Sequence, residues 1–99
     1  MNTMSLLVIF VVLVSITACE TVTPAPGAEK VTITKVGYDV ANCAVLGNIK
    51  VPLNSDGQSA VTNPDVEFKN QAMGLGGNTA FVTLGTLDFP KTGIAYRCP

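Results

Sequence analysis

Residues 6–16 read Leu-Leu-Val-Ile-Phe-Val-Val-Leu-Val-Ser-Ile, an apolar run with one hydroxyl, and the first 18 positions stand apart from the rest of the chain. Beyond residue 30 the pattern alternates. Val31 and Ile33 define one face, then Val36, Tyr38 and Val40 continue in the other phase, with the slip at Lys35. A strand with a bulge or turn near residues 35–37 fits this pattern. A second strand is expected over residues 44–53, where Val45, Ile49, Val51 and Leu53 are apolar and Gly47-Asn48 marks a bulge or bend. Residues 54–59, Asn-Ser-Asp-Gly-Gln-Ser, are a surface loop by composition. Asn63-Pro64-Asp65 then reads as a helix start: Asn caps orphan N–H groups, Pro is tolerated at the first helical position, and Asp65 and Glu67 suit the positive end. Phe68, Ala72 and Leu75 follow at i, i+4 and i+7, flanked by Val66 and Met73. The helix should stop at Gly76-Gly77, where glycine can take a positive φ. Residues 79–84 read as a strand, 85–91 as a turn-rich connection and 92–97 as a last strand. The order β-β-α-β-β predicts an α+β domain, a small, mostly antiparallel sheet of about four strands with one covering helix and with Phe68, Phe81, Val82 and Tyr96 in the core.

Charge sharpens the division of the chain. All 13 Lys, Arg, Asp and Glu residues lie beyond residue 19, and 14 of the first 19 residues are apolar, so the mean hydropathy of +0.42 mostly reports the leader. Six cations and seven anions spread singly give no basic footprint for nucleic acid. The chain has no His, which excludes Ser/His/Asp and Cys/His catalytic pairs and any zinc site built on imidazole. The acids Asp39, Asp56, Asp65, Glu67 and Asp88 are scattered, and Asp65 and Glu67, two apart on a helix, do not face each other. Asp56-Gly57 lacks the Asp-x-Asp-x-Asp-Gly spacing of a calcium loop and reads as a turn. Gly74-Leu-Gly-Gly77 follows a helix instead of opening one and lacks the Lys of a phosphate loop, so it reads as a C-cap. No catalytic residue, metal ligand or cofactor is assigned.

The apolar run is short for a transmembrane helix, which needs about 20 residues, and has the length of a secretory h-region. The n-region, residues 1–5, carries no Lys or Arg. Ile16-Thr17-Ala18-Cys19 resembles the lipobox of bacterial lipoproteins, an aliphatic residue followed by two small ones and Cys. The resemblance implies that residues 1–18 are a signal peptide, that the Cys19 thiol is diacylated, and that the new amino terminus is acylated. Two or three acyl chains, at about 0.8 kcal/mol per buried CH₂, hold a protein on a membrane far more firmly than one. The alternative is an ordinary signal peptide cut after Ala18, leaving Cys19 as a free thiol. By analogy with enteric lipoproteins, where Asp after the Cys signals inner-membrane retention, Glu20 points to the outer membrane.

Three Cys in an exported chain leave one over once a pair forms. Cys43 and Cys98 are the natural pair, and Cys19 is both the odd one and the lipobox residue. Their bridge would close a loop of about 55 residues, worth roughly 4 kcal/mol in the chain-entropy treatment. A redox-active thiol pair is the rival reading, although nothing like Cys-x-x-Cys is present. Residues 19–30, with two prolines, a glycine and no apolar periodicity, read as the lipidated Cys and a flexible tether of up to roughly 34 Å at about 3.1 Å per residue. Residues 31–99 form the stapled domain.

Cys43-Ala-Val-Leu-Gly47, Phe68-Lys-Asn-Gln-Ala72 with Gly76-Gly77-Asn78, and the terminal Tyr96-Arg-Cys98-Pro99 occur in an order that resembles small Gram-negative lipoproteins of an uncharacterised, YjeI-like family, distantly similar to the envelope-stress sensor RcsF. The resemblance runs from about residue 31 to 99. It implies that Cys43 and Cys98 are the bridged cysteines and that Asn70, Ala72, Gly76, Gly77 and Asn78 belong to a helix-to-strand turn. RcsF-like domains carry additional cysteines, so stress signalling is not carried over. From the residues alone, Gly76-Gly77 supplies positive φ and the Asn78 amide bonds nearby backbone as an Asx-type turn.

Two function classes follow. The first is a non-catalytic envelope lipoprotein, membrane-attached through Cys19, whose domain acts as a binding, sensing or structural module and contacts an envelope protein, peptidoglycan or a small ligand. The second is a small periplasmic hydrolase or redox factor using carboxylates or the Cys pair. A cluster of three or more carboxylates in one cleft would favour the enzyme, and an apolar patch or unpaired sheet edge a binding partner. An edge strand can pair with a second copy or be covered, so the sequence leaves the oligomeric state open.

Overall fold

The computed structural model describes residues 21–99. Its strands are β1 (Thr32–Thr34), β2 (Ala44–Lys50), β3 (Thr79–Gly85) and β4 (Pro90–Arg97), and the helix α1 spans Pro64–Gly74. They form one mixed sheet in the order β1-β3-β4-β2. β1 pairs parallel with β3, whereas β3–β4 and β2–β4 are antiparallel, so the sheet is mostly antiparallel and the class is α+β as the pattern predicts. Because β4 opposes both its neighbours, β2 and β3 run the same way, and α1 joins them as a split β-α-β unit with β4 between.

Period-two alternation assigns the faces of the sheet. Ala80 and Val82 of β3, Ala95 of β4 and Ile49 of β2 are buried against Phe68 and Ala72 of α1, with Val31, Val51 and Val61 closing the margins. The floor under the helix is made of small residues. A Cβ on Gly93 would run into the Phe81 carbonyl oxygen and the Phe68 ring, so the fully buried ring occupies the space that a side chain would need. Burying that ring is worth about 1.5–3 kcal/mol. Phe81 and Tyr96, expected in this core, lie on the opposite face, because neighbours in a strand point to opposite sides and Val82 already faces the helix. There the two rings meet edge to face, centroids 6.4 Å apart and planes at 84°, and both are half-buried.

The strand expected over residues 31–40 is shorter. The Thr34 hydroxyl donates to Asp39 Oδ2 at 2.6 Å and accepts from the Val36 N–H at 3.0 Å, a local closure that turns the chain where the phase slips. Since β1 and β2 occupy opposite edges, residues 35–43 must cross the sheet. They do so through a 3₁₀ turn at Gly37–Val40 on the Phe81 face, with Val40 buried. β2 also ends earlier than residue 53: Val51 N–H still reaches the Lys91 carbonyl at 2.9 Å, but Leu53 pairs only with Ser59. The bulge expected at Gly47 is present, as a register shift between Val45 and Gly47. In the 54–59 loop, Asn54 Oδ1 accepts from Asp56 and Gln58 N–H, 3.1 Å each, and Asp56-Gly57 is a turn with Gly57 at φ +78°.

The helix starts at Pro64 and ends before Gly76, which takes φ +86°. Two details differ from expectation. Asn63 makes no side-chain cap, and Gly77 does not supply a positive φ; a Cβ there would stand 2.9 Å from the Tyr96 carbonyl oxygen and 3.1 Å from that of Ala72. Gly77 is therefore needed for close approach and Gly76 for its conformation. Leu75, expected on the buried stripe, is 43% exposed because the helix has already ended.

Candidate functional site

A primary amide offers one acceptor and one donor group, as a peptide does, so Asn or Gln can pair with backbone like a neighbouring strand. Four side chains do this here. Asn63 accepts from Val22 N–H at 2.9 Å and donates to Val22 O at 2.6 Å. Asn70 accepts from Ala25 N–H and donates to Thr23 O, both 2.9 Å. Gln71 pairs with Lys50 on the outer edge of β2, accepting at 3.1 Å and donating at 2.8 Å, and also donates to Glu67. Asn78 accepts from Cys98 N–H at 2.8 Å and donates to Cys98 O at 2.9 Å.

The first two clamps change the picture of the chain before β1. Over residues 21–30 the expected flexible tether lies along α1, held at Asn63 and Asn70. Val22 packs on the core, and Ala28 is buried in a 3₁₀ turn, Ala28–Lys30. Gly27 approaches Met73, whose Sδ would stand 3.3 Å from a Cβ there. The partners are 41 and 45 residues apart, which is why composition alone read this stretch as loose. Asn70, expected in the helix-to-strand turn, sits within α1 and serves this clamp. Asn78 does belong to the turn, but the backbone its amide bonds is that of the distant Cys98, while from its own neighbourhood it accepts only from the Thr79 hydroxyl, at 3.2 Å.

These contacts give the domain two poles. At one, Cys43 and Cys98 are disulfide-bonded with Cα atoms 4.3 Å apart, extending the β2–β4 register just past the Ala44–Arg97 pair. Asn78 fixes the backbone of Cys98, and Arg97 Nη1 donates to Gly76 O at 3.1 Å, tying the end of the chain to the end of α1. At the other pole lie the start of α1 and the β3–β4 hairpin. A cavity of about 220 Å³ opens there, lined by Val61, Thr62, Pro64, Phe89, Pro90 and Lys91 among others. Beside it Leu84, Leu87 and Phe89 are 57%, 49% and 65% exposed. Thr21 meets this pole too, its hydroxyl 3.2 Å from that of Thr62. Cys19, the expected lipidation site, lies outside the described residues, as does the leader.

The acids do not converge. Asp39 holds Thr34, Glu67 accepts from Gln71 at 2.6 Å, Asp56 is in a loop turn, and Asp88 is on the hairpin. Among the described residues no group of three or more His, Cys, Asp and Glu is placed to hold a metal ion. Comparison with protein-family models, curated proteins and solved structures finds no match for this chain.

Proposed function

We propose that this chain is a non-catalytic cell-envelope lipoprotein, anchored in the outer membrane through acylated Cys19 and facing the periplasm. Its domain serves as a binding, sensing or structural module towards an envelope protein or peptidoglycan. The observation that carries this reading is the Cys43–Cys98 bond, which uses two of the three cysteines and leaves Cys19, the lipobox residue, as the third. A disulfide also suits the oxidising side of an exported protein. Among the described residues no helix is long and apolar enough to cross a membrane; attachment in this reading is through acylated Cys19. Asp39 holds a turn and Glu67 a helix contact instead of lining one cleft, which supports a binding role over hydrolysis. The order of motifs that resembles YjeI-like lipoproteins suggests the same reading from the residues.

The test is fractionation of a Gram-negative host fed a labelled fatty acid. Wild-type protein should carry label and sediment with outer membrane, and Cys19→Ala should lose both. Label and membrane association that persist in Cys19→Ala would overturn the anchor. Turnover of a substrate abolished by changing one carboxylate, Asp39 or Glu67 for instance, would overturn the non-catalytic reading.

A further inference from the structure

With residues 21–30 docked on α1, little chain remains between the domain and Cys19. Cys19 and Thr21 are two residues apart, at most about 7 Å in an extended chain. Thr21 lies against Thr62, and Thr62 lines the same cavity as Phe89 and Pro90. The pole that carries the exposed hairpin is therefore the pole at which Thr21, two residues after Cys19 in the sequence, lies. Two backbone N–H groups of the hairpin turn are paired across it: Phe89 N–H donates to Thr86 Oγ1 at 3.0 Å and Thr86 N–H to Phe89 O at 3.2 Å. Three large apolar side chains, Leu84 near the end of β3 and Leu87 and Phe89 in the turn, are thus exposed around a turn that is partly closed by its own hydrogen bonds.

We infer that Leu84, Leu87 and Phe89 form a second membrane contact, resting in the lipid interface beside acylated Cys19 and seating the domain on the bilayer with its disulfide pole outward. The inference rests on the proposed acylation of Cys19. Charge is not the source of the contact. Lys35, whose Nζ bonds Gly85 O at 2.7 Å, and Lys91 flank the hairpin, but Asp88 sits on it and Glu20 adjoins Cys19. Apolar area must carry the binding, with the Lys91 stem able to reach past it to the headgroups. Contact should accordingly depend little on ionic strength.

The chain has no Trp, so Phe89→Trp places a single indole in the hairpin, and Leu75→Trp places one at the disulfide pole as reference. Each acylated protein is reconstituted into phosphatidylethanolamine–phosphatidylglycerol vesicles with and without brominated acyl chains, and vesicle flotation and acyl mass are recorded on the same samples. The expected result is blue-shifted, bromine-quenched emission from Phe89→Trp, unchanged in high salt, and solvent-like, unquenched emission from Leu75→Trp. Vesicle-bound, acylated protein with no more quenching at the hairpin than at the reference would overturn the inference while leaving the anchor standing. Missing acyl mass and no flotation would remove the anchor and the inference with it.

Discussion

Asn70→Ala separates a clamp from an ordinary helix position because the two roles predict opposite signs. On a helix surface, Ala is better than Asn by about 0.6 kcal/mol, so a passive Asn70 would give a more stable variant. As a clamp, Asn70 makes two backbone hydrogen bonds at 2.9 Å, to Ala25 N–H and Thr23 O. At about 0.5–1.5 kcal/mol each, their loss costs about 1–3 kcal/mol. The net is a destabilisation of about 0.4–2.4 kcal/mol, which for a domain of this size lowers Tm by roughly 4–8 °C per kcal/mol. Part of that cost is local, because residues 22–25 can detach while the sheet stays folded. Amide exchange should therefore accelerate at Val22 and Ala25 well before it does in β3. Calorimetry and residue-resolved hydrogen exchange read both effects. A raised Tm with unchanged exchange at Ala25 would refute the clamp.

Other consequences follow from particular contacts. Gly93→Ala should cost about 3 kcal/mol, at the upper end of overpacking effects, since the added methyl meets both backbone and the Phe68 ring; denaturant titration measures it. Reducing the Cys43–Cys98 bond should remove about 4 kcal/mol, a large share of the 5–15 kcal/mol typical of a domain, seen as a fall in Tm on adding reductant. Asn78→Asp keeps the acceptor for Cys98 N–H but loses the donor to Cys98 O, and Asn78→Ala loses both, so reduction of the bridge by a small thiol should accelerate in that order.

Local chemistry carried much of this fold into the sequence. Alternation placed the strands, the slip at Lys35 marked where β1 gives way to a turn, and Asn63-Pro64 located the start of α1. Two kinds of information were not local. The face occupied by Phe81 follows from whether Val82 meets the helix, and both residues are apolar. The docking of residues 21–30 depends on Asn63 and Asn70, polar side chains whose partners are more than 40 residues away and leave no periodicity. The hairpin pole was hidden for a related reason. Leu84 lies near the end of a strand and Leu87 and Phe89 sit in the turn-rich stretch after it, and only the path of the chain brings Phe89 to the cavity that Thr62, the partner of Thr21, also lines.

The central claim, an acylated Cys19 joined to a disulfide-closed domain, is tested most directly by the intact mass of the protein extracted from Gram-negative membranes, before and after reduction. The account predicts a chain beginning at Cys19, added acyl mass that Cys19→Ala abolishes, and a gain of two hydrogens on reduction. A chain that retains its first 18 residues, or one cut before Cys19 without acyl mass, would contradict it and return Cys19 to the role of a free thiol.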